Sequence, residues 1–104
     1  PGTHVEYEGK HDTRHCIASK SKTFHGDQWV KLEVEVHGNR LIRHLINGEE
    51  VISYSKPELG GDPHAEALAA AAGNKMLSDG YICLQSESSP VEFRNIEILE
   101  LPAE

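Results

Sequence analysis

The clearest signal in the chain is a period of two that begins at Trp29. Val30, Leu32, Val34 and Val36 alternate with Lys31, Glu33 and Glu35, the mark of a strand with one buried face and one wet face. His37-Gly38-Asn39-Arg40 reads as a hairpin loop, with Gly38-Asn39 offering the positive φ that tight turns need. Leu41–Ile46 is the return strand, Asn47-Gly48 is a strong short hairpin signal, and Val51–Ser55 is a third strand. Three strands joined by two tight turns predict an antiparallel meander. Upstream, residues 1–28 are polar and turn-rich. Short extended pieces are expected at Thr3–Tyr7 and Arg14–Ala18, with a turn near Gly9-Lys10.

Beyond Ser55 the alternation breaks. Lys56-Pro57 through Gly60-Gly61 reads as loop. Asp62-Pro63 is a helix start, with Asp as N-cap and Pro at the first helical position. Ala65–Ala72 is helix-prone and Gly73-Asn74 is a stop. Leu68 alone makes a poor core stripe, so residues 62–76 are expected to be a surface insertion. Asp79-Gly80 then leads into a strand at Tyr81–Gln85, and Ser88-Ser89-Pro90 turns the chain into a long strand at Val91–Leu101. A bulge is expected near Arg94-Asn95, because Phe93 and then Ile96 and Ile98 fall on opposite parities. These elements predict an all-β sandwich or jelly roll of antiparallel strands with one short Ala-rich helix, in a single unit over residues 1–104. Apolar strand faces need a second layer, and the strands are too few to build both sheets. Part of the sandwich is therefore expected to be missing from the chain.

Length and charge narrow the partners. The chain has 104 residues, 38% hydrophobic and 26% charged, an ordinary balance for one globular domain. No apolar run is long enough for a membrane helix, so no membrane insertion is expected. The chain opens on Pro1-Gly2-Thr3-His4, without an initiating Met or a signal peptide, so it is expected to have been cut from something longer. A net charge of −7 argues against nucleic acid and anionic lipid. Cys16 and Cys83 lie far apart and form no CxxC motif; their disulfide state stays open.

Seven histidines are the first candidate chemistry. His11 and His15 stand four residues apart, but the segment does not read as helix and no HExxH motif occurs. Loop histidines in water are the plain alternative to a metal or general-base site assembled across strands. His44 shares a strand face with Ile42 and Ile46, so it is either a buried, hydrogen-bonded ring or a ring facing substrate. Near the C-terminus, Tyr81, Cys83, Gln85 and Glu87 share one face of the predicted strand, opposite Ile82 and Leu84. Tyr, Gln and Glu together suit a sugar, offering an aromatic plate and planar groups for hydroxyls; a solvated outer face is the alternative. Arg94 and Asn95 follow on the last strand. No carboxylate pair of the usual glycosidase kind is written in the sequence.

The stretch Trp29-Val30 through His37-Gly38-Asn39-Arg40, continued by Ile42-Arg43-His44-Leu45-Ile46-Asn47-Gly48-Glu49-Glu50-Val51, resembles the 3-keto-disaccharide hydrolase family. So do Gly80–Glu87 and Pro90-Val91-Glu92-Phe93-Arg94-Asn95-Ile96, while Pro1–Cys16 and Phe24–Trp29 resemble one subgroup. The resemblance covers nearly the whole chain. It implies a concanavalin A-like jelly roll and a domain roughly twice this length, of which residues 1–104 are the C-terminal portion. It also implies export to the periplasm or cell surface, often with a lipid anchor. A cysteine just before the PGTH segment, outside this chain, is implied as a candidate partner for Cys16.

The implied chemistry is cleavage of glycosides already oxidised at C3, by removal of the C2 proton and expulsion of the C1 leaving group. On that reading His44, or His15 or His4 of the front segment, serves as base or metal ligand. Glu87 joins the catalytic set, while His4, Arg14, Tyr81, Gln85, Arg94 and Asn95 form the substrate-binding set, with Arg14, Gln85, Glu87 and Asn95 holding hydroxyls, the enolate or a metal. A divalent metal is left open, with no ligand set assigned. The expected partners are a carbohydrate substrate and either the absent N-terminal half of the domain or a second copy of the chain. A non-catalytic carbohydrate-binding or surface structural module is the competing class, since the same fold serves lectins.

Overall fold

The computed structural model describes residues 2–103. Its strands are β1 (Thr3–Tyr7), β2 (Lys10–Asp12), β3 (Leu32–His37), β4 (Leu41–Ile46) and β5 (Glu49–Leu59), followed by one helix, α1 (Pro63–Ala72). They form a five-stranded sheet in the order β2-β1-β5-β4-β3, and every strand pair is antiparallel. The architecture is all-β and jelly-roll-like, with a single short helix.

The meander forms where alternation and turn chemistry agree. Asn47 and Gly48 both take positive φ, 51° and 84°, the backbone of a tight turn whose twist matches the strands it joins. Glu8 and Gly9 do the same between β1 and β2, at 52° and 77°. In the His37–Arg40 loop only Gly38 is left-handed, and the Arg40 N–H donates to the His37 carbonyl. Register places Val34 beside His44 and Ile52, and Val36 beside Ile42 and Tyr54. One face of the meander is therefore apolar around the His44–Tyr54 pair. The other face is charged: Arg43 bridges Glu35 at 3.0 Å and Glu50 at 2.7 Å, and His37 Nε2 lies 2.6 Å from Glu35. Ion pairs this open to solvent contribute little to stability, so packing on the apolar face decides the register.

Strand β5 runs four residues further than Val51–Ser55 predicts, through Lys56-Pro57. The chain achieves this by bending. Lys56 takes a left-handed φ of 50°, and the register against β1 shifts between His4 and Glu6. Pro57 lacks an N–H and is tolerated in a strand at such an irregularity. The first half of β5 thus pairs with β4 and the second half with β1. Glu58 also bridges Met76, while the Leu59 N–H donates to the Lys75 carbonyl and the Leu77 N–H to that of Pro57.

Helix α1 sits where the sequence places it. The Asp62 side chain accepts from the Ala65 N–H at 2.7 Å, and Gly73 closes the helix with φ 70°. Ala65 is buried, Ala69 partly so and Leu68 exposed, so the helix packs on the sheet through small side chains.

Three expected strands are absent. Arg14–Ala18, Tyr81–Gln85 and Val91–Leu101 carry no strand pairing, and every residue from Ser78 to Ala103 is exposed. Their alternation marks an apolar face but names no partner strand, and a strand exists only when paired. One contact that ties the C-terminal segment back is that of Arg94, whose guanidinium lies 3.9 Å from the Trp29 ring centroid. An exposed cation–π contact contributes about 1 kcal/mol, comparable to the cost of ordering a single residue. Cys16 and Cys83 are both free and exposed. Among the described residues, no helix is long and apolar enough to cross a membrane.

Candidate functional site

Two clusters of chemistry-bearing side chains stand on the sheet. The first is on the apolar face of the meander. His44 of β4 and Tyr54 of β5 are diagonal neighbours across the β4–β5 ladder, and His44 Nε2 lies 2.9 Å from the Tyr54 hydroxyl. The rings meet edge to face, 5.4 Å between centroids. Both are half-buried. Burial disfavours the charged form of each group, lowering the His44 pKa below its ordinary 6.5 and raising that of Tyr54 above 10.0. At neutral pH the pair is therefore an uncharged imidazole against an intact phenol. Around it, Leu32, Val34 and Val36 of β3 remain exposed, leaving an apolar surface beside a base.

The second cluster joins β1, β2 and β5. Register sets His4 opposite Glu58 and Glu6 opposite His11, so His4, His11 and Glu58 converge. Each presents one donor atom, and these atoms all lie within 4.8 Å of one another. His11 Nε2 is 3.4 Å from Glu58 Oε1, and Lys75 Nζ is 3.7 Å from the same oxygen. The His4 and His11 rings meet edge to face at 5.7 Å. Glu58 is the one buried charged side chain among the described residues, 8% exposed.

Beside this cluster Arg14 forks onto Asp12, with Nη2 2.6 Å and Nε 3.1 Å from Oδ2. The guanidinium holds the Asp12 carboxyl down at about 2. Arg14 and Asp12 also line a shallow surface hollow with Tyr7, Lys10 and His11.

The remaining sequence candidates are scattered. His15 is exposed on the segment after β2. Tyr81, Gln85 and Glu87 are exposed on the C-terminal segment, and none of the four has a side-chain hydrogen bond or ion pair among the described residues. Arg94 is engaged with Trp29, and Asn95 takes a left-handed φ of 53°. The structure thus brings His4 into one cluster and His44 into the other, and leaves His15, Tyr81, Gln85 and Glu87 apart from both.

Tyr54 and Glu58 escape a reading of the sequence as site residues, whereas His11 is among the histidines it raises for a site assembled across strands. Tyr54 was legible as a strand residue, and its pairing to His44 follows once the Asn47-Gly48 turn fixes the register. Glu58 lies in a stretch that Pro57 and two glycines mark as loop, so nothing local identifies it.

Sequence comparison gives these residues a class: the chain is a carbohydrate-active domain. Residues 3–99 match the family described as the 3-keto-alpha-glucoside-1,2-lyase-like domain, and the chain belongs to that family. No curated protein and no solved structure matches it.

Proposed function

We propose that this domain cleaves 3-keto-glycosides, and that His44 is the base. The observation that carries this reading is the His44–Tyr54 pair: a half-buried imidazole, kept uncharged by burial, 2.9 Å from a phenol on an open apolar face. Family membership over residues 3–99 supports the choice of substrate class.

A ketone at C3 acidifies the hydrogen on C2. With Nε2–H donating to the Tyr54 oxygen, Nδ1 of His44 keeps its lone pair and takes the C2 proton. The electrons of the C–H bond move to the C3 oxygen as an enolate. They then return to form the C1–C2 double bond as the C1–O bond breaks, and the leaving oxygen takes a proton. Water adds across the double bond to give the free 3-keto sugar. In that tautomer the Tyr54 hydrogen is free to turn toward the developing enolate oxygen, where a donor stabilises charge. The exposed Leu32, Val34 and Val36 offer a surface for the carbon-bearing face of the sugar ring. No carboxylate pair is needed, in keeping with the absence of one in the sequence.

The test is turnover of a 3-keto-disaccharide against the unoxidised disaccharide. Cleavage of the keto sugar alone is expected, and His44→Ala should lower kcat about 100-fold or more, the usual worth of a general base. Binding without turnover would make the domain a carbohydrate-binding module, and full activity in His44→Ala would remove the histidine from the mechanism. The same reading puts the protein in the periplasm or outside the cell, which fractionation of the source cells would check.

A further inference from the structure

We propose that His4, His11 and Glu58 bind one divalent transition-metal ion of the zinc or cobalt class. The inference is independent of the cleavage chemistry above.

Three observations point to an ion. The first is spacing. Ligands at about 2.1 Å from a tetrahedral ion stand about 3.4 Å from one another. His11 Nε2 and Glu58 Oε1 are 3.4 Å apart, whereas a direct charge-assisted hydrogen bond draws the same atoms to about 2.7–2.9 Å. The donor atom of His4 completes a triangle no side of which exceeds 4.8 Å.

The second is the way His4 is held. Its ring lies over the Gly60-Gly61 backbone: a Cβ on Gly60 would stand 2.8 Å from Nδ1, and one on Gly61 3.0 Å from Nε2. Only a pair of glycines leaves that space, so the local sequence is arranged around the imidazole.

The third is Glu58. Glu58, a residue 8% exposed in a chain of net charge −7, has the His11 imidazole at 3.4 Å and the Lys75 ammonium at 3.7 Å. Burying such a charge is costly unless it is closely paired or ligates a metal. Two borderline imidazole nitrogens beside one hard carboxylate oxygen favour zinc, cobalt or nickel, since calcium and magnesium take all-oxygen environments. The donors come from three strands, so the ion would clamp β1 and β2 onto the second half of β5. Three protein donors leave positions on the ion for water or a ligand oxygen.

The test is titration of the metal-free protein with Co(II), followed by visible absorption, and with Zn(II), followed by calorimetry. Saturable binding of one ion per chain is expected, with d–d bands of a nitrogen–oxygen site and no competition from equimolar Mg(II). His11→Ala, on the exposed edge strand, and Glu58→Gln should each weaken binding at least tenfold, while His25→Ala should leave it unchanged. Absence of saturable binding, or unchanged affinity in His11→Ala, would overturn the site. Equal weakening by His25→Ala would overturn it too, because the ion would then be held by surface histidines at large. Should Glu58→Gln fail to fold, His11→Ala decides the matter.

Discussion

Burial, rather than any neighbouring charge, moves the His44 imidazole toward its uncharged form, and this has two readouts. For catalysis, the acid limb of kcat/KM is expected below pH 6.5, the ordinary value for a histidine. For stability the sign follows from linkage. The unfolded chain binds a proton at His44 near pH 6.5 and the folded chain resists it, so stability is full above that pH and declines as pH falls through it. Asp12 and Glu35 act lower on the scale. Their folded pKa values are depressed by Arg14 and by His37 with Arg43, so their contribution is present above the unfolded carboxylate pKa. For Asp12 it is lost between about 3.8 and about 2. A plot of melting temperature against pH should therefore show a first decline beginning near pH 6.5, absent in His44→Gln, and a second below pH 4 that both proteins share. A wild-type curve flat down to pH 5 would contradict the burial argument.

At the scale of the element, β5 shows most clearly what a local reading captures and what it leaves out. Residues 49–55 follow from alternation and the Asn47-Gly48 turn. Residues 56–59 do not, because Lys56 in the left-handed region and Pro57 without an N–H are loop chemistry by any local rule. They are strand because β1 supplies the partner, from the far end of the chain. The second cluster was legible only in its histidines for the same reason: Glu58 acquires its neighbours through a pairing that no window of sequence contains. Helix α1 lies at the opposite pole. Asp62, Pro63 and Gly73 fix both of its ends locally, and the structure follows them.

The Gly60-Gly61 pair is the point at which this element can be tested. Gly61 has φ 88° and its missing Cβ would meet the His4 ring at 3.0 Å. Gly61→Ala should cost about 1–3 kcal/mol by urea denaturation, combining left-handed strain with displacement of the ring. Gly38→Ala, also left-handed but facing open space, isolates the strain alone and should cost less.

For the molecule as a whole, the order of the β3-β4-β5 meander and its apolar face were legible, because turn residues and alternation specify neighbours close in sequence, whereas the place of β1 and β2 beside β5 was not. The final third was not. Ile82, Phe93, Ile96, Ile98 and Leu99 are all exposed, although their spacing reads as strand. A hydrophobic pattern states that a face is to be covered, and the covering surface is a property of tertiary structure. Of the two clusters, His44 was visible as a histidine on an apolar strand face. Its partner Tyr54 became visible only through the ladder.

The change of partner along β5 also dictates an order of events. Its first half joins β4 across a two-residue turn, whereas Lys56 and Glu6, which form an ion pair at 2.9 Å, are separated by 50 positions. Local hairpins close in about 1–10 μs, while distant contacts must first overcome loop-closure entropy. The meander is thus the nucleus, and the β1–β2 hairpin docks onto a strand already half formed. In stopped-flow experiments Ile42→Val should slow folding, with φ above about 0.5, while Val5→Ala should chiefly speed unfolding. The reverse assignment would mean that the two ends of the chain meet before its middle has taken shape.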